Sequence, residues 1–95
     1  MATPGGSMET ASLQVVVISP ENTVFEGVAE SVVVPGWDGE IGILRGHAPL
    51  MTILGSGDVR ITAGGSEHKY PVEGGFAQVF DNVVTVLSES PTSET

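Results

Sequence analysis

The sequence predicts an all-β domain, a sandwich or a barrel, and three observations carry that prediction. Apolar residues come in short, β-branched runs. Gly, Pro, Asn and Asp punctuate those runs every several residues, as turns between strands do. No stretch holds the 3.6-residue apolar period of an amphipathic helix.

The elements follow in order. LQVVVI (13–18) reads as a strand that stops at Ser19-Pro20. TVF (23–25) is a short strand, expected to turn at Gly27. VAESVVV (28–34) is expected as one strand ending at Pro35-Gly36. A short strand follows around 41–44, then LMTIL (50–54), bounded by Gly55 and Gly57. In DVRIT (58–62), Val59 and Ile61 fall on one face and Arg60 and Thr62 on the other. Gly64-Gly65 suits a hairpin turn into EHKYPV. A further strand spans 75–80, and Asp81-Asn82 makes a two-residue turn into VVTVL (83–87). Ile43 and Ile61 are expected in the core, with Phe25 and Phe76 in core-like patterns. Residues 1–12 read as a flexible polar tail, native or appended, with Met8 as an alternative start. Residues 90–95 read as a frayed end.

Composition bounds the function. Ninety-five residues make one domain. The formal charge is −9, and only Arg45, Arg60 and Lys69 are positive. Three cations cannot neutralise a useful run of phosphates, so nucleic acid is excluded as a partner. Direct docking on anionic lipid is disfavoured for the same reason, and no direct lipid insertion is expected. An acidic chain favours a basic protein partner, beside the plain benefit of solubility. Cysteine is absent, so neither a disulfide nor a thiolate metal site supports the fold, which fits a reducing compartment. No run approaches the roughly 20 apolar residues of a membrane span, and the first twelve residues lack the pattern of a signal peptide.

The most informative stretch is SVVVPGWDGEIGILRGHAPLMTIL (31–54). Gly36, Gly39, Gly42 and Gly46, with Pro35 and Pro49, rule out a helix, because each interior Gly costs about 1 kcal/mol and Pro more. Ile41, Ile43 and Leu44 call for burial, so a short strand between two tight turns is expected. Trp37, Asp38, Glu40, Arg45 and His47 are then left facing solvent and are expected to crowd one small region, where binding residues tend to sit.

Chemistry is harder to find there. His47 is of the residue type most used for acid–base chemistry, yet no organised partner set accompanies it. There is no Cys nucleophile, no G-x-S-x-G elbow and no G-x-x-x-x-G-K-[ST] phosphate loop. A metal site from His47, His68 and Asp38 or Glu40 ranks below a structural role, in which the His47 ring ties down its loop by hydrogen bonds. Asp38 and Glu40 share a strand face and read either as an acid/base pair or as a solvated tip. Arg45 reads as the internal ion-pair partner of Glu40 or Asp38, ahead of a partner contact. Trp37 either caps the domain end or anchors an interface. Gly74-Gly75 reads as a kink or bulge ahead of a ligand cradle.

The pattern G-x-x-G-E-x-G-I-x-x-G-H-A-P-L at 36–50 resembles the N-terminal domain of the epsilon subunit of F-type ATP synthases (delta in mitochondria). LQVVVISPENTVFEGVAESVVVPG resembles that family's opening strands, and GSGDVRITAG and VEGGFAQVFDNVVTVLSES its later ones. Together they cover residues 13–89. The resemblance implies a flattened sandwich of two roughly five-stranded, mostly antiparallel sheets. It implies a non-catalytic rotor subunit that links gamma to the membrane c-ring, and through gamma indirectly to the alpha/beta head. No cofactor or metal is implied for this domain, which would be a monomer when isolated. Its place would be the cytoplasmic face of a bacterial inner membrane, or the stromal or matrix face in an organelle.

By the same resemblance, Glu40 matches an acidic position that meets basic polar loops of the c-ring, with Trp37, Asp38, Arg45 and His47 around it. Arg45 departs from the pattern, which often has Pro or another small residue there. Val24 and Phe25 are expected to contribute an apolar patch against gamma. Family members commonly continue into a C-terminal helical hairpin that inhibits hydrolysis and in some binds ATP; this sequence stops just after the sandwich segment. The rival readings are a ligand-binding β module, argued against by only five aromatic residues, and a small metal-dependent enzyme, argued against by two His in separate hairpins.

Overall fold

The computed structural model describes residues 12–89, which form nine strands and no helix. The polar tails expected at 1–12 and 90–95 lie outside the described residues, apart from Ser12. The strands are β1 (Leu13–Ile18), β2 (Thr23–Ala29), β3 (Ser31–Gly36), β4 (Gly39–Ile43), β5 (Leu50–Ile53), β6 (Ser56–Ala63), β7 (Ser66–Glu73), β8 (Gly75–Phe80) and β9 (Val83–Ser88). They build a five-stranded sheet, β2-β1-β9-β8-β5, and a four-stranded sheet, β4-β3-β6-β7. Every pairing is antiparallel except β1 with β9, which places the first and last strands side by side.

The expected sandwich is therefore observed, with four strands rather than about five in the second sheet. Period-2 alternation builds its core. Val15, Val17, Val84 and Val86 point inward from the five-stranded sheet, and Val32, Val34, Val59 and Ile61 from the other; all are fully buried. Ile43 is buried as expected.

Two boundaries differ from expectation, for one reason. Gly27 does not turn the chain; it pairs with Val15 inside β2. Bearing no side chain, it leaves room for the Phe25 ring, whose Cζ lies 3.7 Å from where a Cβ would stand. The run 28–34 is not one strand. The chain changes sheets at Glu30, whose N–H donates to the Thr62 carbonyl of the four-stranded sheet at 2.7 Å. The sequence hides such a corner, because Ala29 before it and Val32 after it, on different sheets, feed the same core. Phe76 also departs from expectation: alternation along β8 buries Ala77 and Val79 and turns Phe76 outward.

The turns are as their residues require. Asp81 and Asn82 have φ of 51° and 65°, and Gly64 and Gly65 have φ of 60° and 81°, the paired positive values of a type I′ hairpin turn. Gly75 has φ of 100°, and a Cβ there would collide with the Leu87 carbonyl oxygen. The Gly74-Gly75 pair thus serves backbone approach between β8 and β9.

Candidate partner-binding surfaces

The five residues expected to crowd one region are divided between opposite ends of the sandwich. Trp37 and Asp38 form the β3–β4 turn, and Glu40 opens β4 beside it. Arg45 and His47 lie beyond the other end of β4, in the β4–β5 loop. A strand rises about 3.3 Å per residue, so roughly 16 Å of β-strand separates Glu40 from Arg45. An extended strand between two turns carries its flanking loops apart, and closeness in sequence concealed that.

At the first end, the turn is fastened to the opposing sheet. The Trp37 N–H donates to the Ile53 carbonyl at 3.0 Å, and the Gly55 N–H to the Pro35 carbonyl at 2.9 Å. The Trp37 side chain is nonetheless 70% exposed, which sets aside the capping role and leaves it free as an anchor. Asp38 and Glu40 are exposed.

Glu40 has an internal partner, but it is not Arg45. Arg60 Nη2 donates to Glu40 Oε1 at 2.8 Å, reaching from β6 across β3 to the edge strand β4. The sequence places Arg60 twenty residues away, so only the strand order β4-β3-β6 brings it there. Both side chains are substantially exposed, and such a pair contributes about 0–1 kcal/mol.

At the second end, the Gly46 N–H donates to Asn82 Oδ1 at 2.7 Å, tying the β4–β5 loop to the β8–β9 turn. His47 Nδ1 lies 2.7 Å from the Ala48 carbonyl, and the His47 backbone N–H donates to the Leu44 carbonyl at 3.1 Å. The ring thus meets only the backbone of the next residue, and the bonds that fasten the loop come from the Gly46 and His47 backbone N–H groups. Arg45 lines a shallow cleft with Asp81, Asn82 and the start of β1. His68 is on β7, at the far edge of the four-stranded sheet from β4. Among the described residues, no three His, Asp or Glu side chains are grouped to hold a metal.

Val24 and Phe25 fit a partner surface poorly. Both are half-buried against the core. The Phe25 ring lies 5.8 Å from Tyr70 and 6.2 Å from His68, closing the side of the sandwich between β2 and β7. Their apolar surface is largely engaged within the domain.

The comparisons with known proteins agree with this architecture. Residues 12–93 match the family model for the ATP synthase delta/epsilon chain β-sandwich domain. The chain belongs to that family. It is 47% identical over 83 residues to the ATP synthase epsilon chain of Chromohalobacter salexigens, covering 86% of this chain and 59% of that one. It is 42% identical over 83 residues to the epsilon chain of Rhodopseudomonas palustris, covering 87% and 62%. The chain thus spans about six-tenths of the length of these epsilon relatives. Among solved structures, it superposes with a TM-score of 0.77 and 25% identity on a chain of the Euglena gracilis mitochondrial ATP synthase assembly of OSCP, F1 and c-ring, covering 82% of this chain and 51% of that one. A chain of the Tetrahymena thermophila central stalk and c-ring, at 15% identity and TM-score 0.67 with 82% and 63% covered, shares the fold.

Proposed function

We propose that this epsilon-family chain is a non-catalytic rotor subunit of an F-type ATP synthase, coupling gamma to the c-ring so that ion flow drives rotation of the central stalk. In this role it sits peripherally, against the membrane-embedded ring. The acidic Trp37–Glu40 turn is the observation that carries the reading. It projects from one end of a rigid sandwich, and Glu40 occupies the position where the family resemblance implies contact with basic ring loops. Trp37 and Asp38 flank it. Arg45 and His47, at the other end, leave this contact set. Arg60 engages one carboxylate oxygen of Glu40 and leaves the other for a partner cation. Charges so placed fix register and orientation more than they add affinity. A second reading, as a ligand module or metal enzyme, finds no supporting observation.

Coupling measurements on the assembled enzyme test this. Glu40→Lys should keep gamma bound and lower the ions pumped per ATP, with a salt dependence, since rim charges are screened over about 10 Å at 0.1 M. Glu67→Lys, at the β6–β7 hairpin on the other end, is the charge control. Arg60→Gln removes the internal pair and keeps the Glu40 carboxylate, so it separates pair loss from ring contact. Equal loss from the Glu40 and Glu67 reversals would mean net charge acts, and the local contact would be abandoned.

A further inference from the structure

The Trp37 side chain does nothing for the fold. Its turn is held by backbone bonds, from the Trp37 N–H to the Ile53 carbonyl and from the Gly55 N–H to the Pro35 carbonyl. Among the described residues, Trp37 is the most exposed of the large hydrophobic side chains. Apolar surface lies close by. Ile53 lines an apolar groove of about 510 Å³ with Gly75, Phe76 and Leu87. The indole does not bury itself there. It stands in solvent on a turn fixed to both sheets.

Its neighbours select what it meets. Asp38 follows it in the same turn, and Glu40 pairs in register with Pro35, two residues before Trp37. At about 3.3 Å per residue, the indole springs from within roughly 7 Å of that pair. An apolar partner laid on the ring would strip water from these carboxylates and return no bond, which is costly. A cation meets the electron-rich ring face and a carboxylate together. The chain places no cation of its own there. Arg60 is engaged at Glu40 Oε1. Lys69 lies beside Arg60 on β7, at the far edge of the sheet from β4. Arg45 lies beyond the other end of β4. Among the described residues, nothing bonds the second carboxylate oxygen of Glu40.

Resting on the rotor reading above, we infer that Trp37 is the specificity-determining residue of this turn: its indole face receives the same partner cation that Glu40 Oε2 binds. The contact then selects a ring loop whose ammonium or guanidinium group lies on an aromatic face while donating to a carboxylate. The two halves act differently. The carboxylate attracts at range and is screened by salt, whereas the indole acts only within about 6 Å of its centroid. A loop that offers an apolar or acidic side chain at this point gains nothing from the indole and leaves Glu40 without its partner.

Trp37 is the only tryptophan of the chain, so growth on fluorotryptophans changes this ring alone. Each fluorine withdraws π density and makes the ring no less apolar. Chains carrying tryptophan, then its mono-, di- and trifluorinated forms, are titrated onto the matching ATP synthase stripped of its epsilon chain. The same series is titrated onto its F1 part, which holds gamma and lacks the c-ring. Affinity for the whole enzyme should fall with each fluorine, by about two- to fivefold in all, and Trp37→Leu should lose as much. Affinity for F1 and the melting temperature should not change. A flat or rising series on the whole enzyme overturns the inference, because Trp37 would then be an apolar anchor. An equal fall on F1 overturns it too, since the indole would then meet gamma. If the unmodified chain binds the whole enzyme no better than F1, the proposed ring contact fails and the inference with it. If it binds neither, the rotor reading itself fails.

Discussion

The two outer faces of this sandwich are built on the same alternation and differ in what they show to solvent. On the four-stranded sheet, Glu40, Asp58, Arg60, Thr62 and Lys69 point outward, and Arg60 and Glu40 pair across the surface. That face is finished as it stands. On the five-stranded sheet, Met51, Ile53, Phe76, Phe80 and Val83 occupy equivalent positions, with the uncharged Gln14, Gln78 and Thr85 among them. The core needs none of them, since Val15, Val17, Val79, Val84 and Val86 already fill the inner side. A residue that does nothing for the fold and costs solubility is explained by something outside the fold. The difference teaches that apolar content and core content are separate quantities in a small sandwich.

The largest expected effect breaks the comparison at one residue type. Ile61→Ala, inside the four-stranded sheet, should cost about 2–5 kcal/mol by lost burial and a cavity. A 95-residue domain is stable by roughly 5–14 kcal/mol in all, so thermal melting would show a large drop. An unchanged melting temperature would mean that the strand register is wrong by one residue.

Next comes the backbone beneath the apolar groove. Gly75→Ala should cost about 1–3 kcal/mol, because φ of 100° is strained for Ala and the new Cβ meets the Leu87 carbonyl. Urea unfolding would read the loss directly. A neutral result would mean that β8 and β9 can part at this point without cost.

On the charged face, Arg60→Gln should cost no more than about 1 kcal/mol, and the loss should shrink in high salt. A larger, salt-independent loss would show that the Arg60 stem, rather than its charge, holds β4 to the sheet. The smallest effect sharpens the comparison most. Ile53→Ser should change stability by within about 0.5 kcal/mol, although the same residue type at position 61 is essential. Chemical denaturation of the two isoleucine variants side by side checks whether the outer apolar face contributes to the fold.

By itself the sequence determined the class of fold, most strand positions and the turns. β-branched alternation, Gly64-Gly65 and Asp81-Asn82 act locally, within a few residues, and local geometry is what a linear pattern encodes. It also showed Glu40 exposed beside a turn, and the family resemblance at residues 36–50. Tertiary structure decided the rest. It separated Glu40 from Arg45 by the length of β4, gave Glu40 to Arg60 through strand order, and broke the run 28–34 at the corner where the chain changes sheets. It also decided which apolar residues are left outside. Val84 and Val83 are adjacent and chemically identical, yet one is fully buried and the other 43% exposed. Period 2 says only that they face opposite ways; which way is inward depends on where the second sheet packs, and that is settled by pairings between residues far apart in the chain.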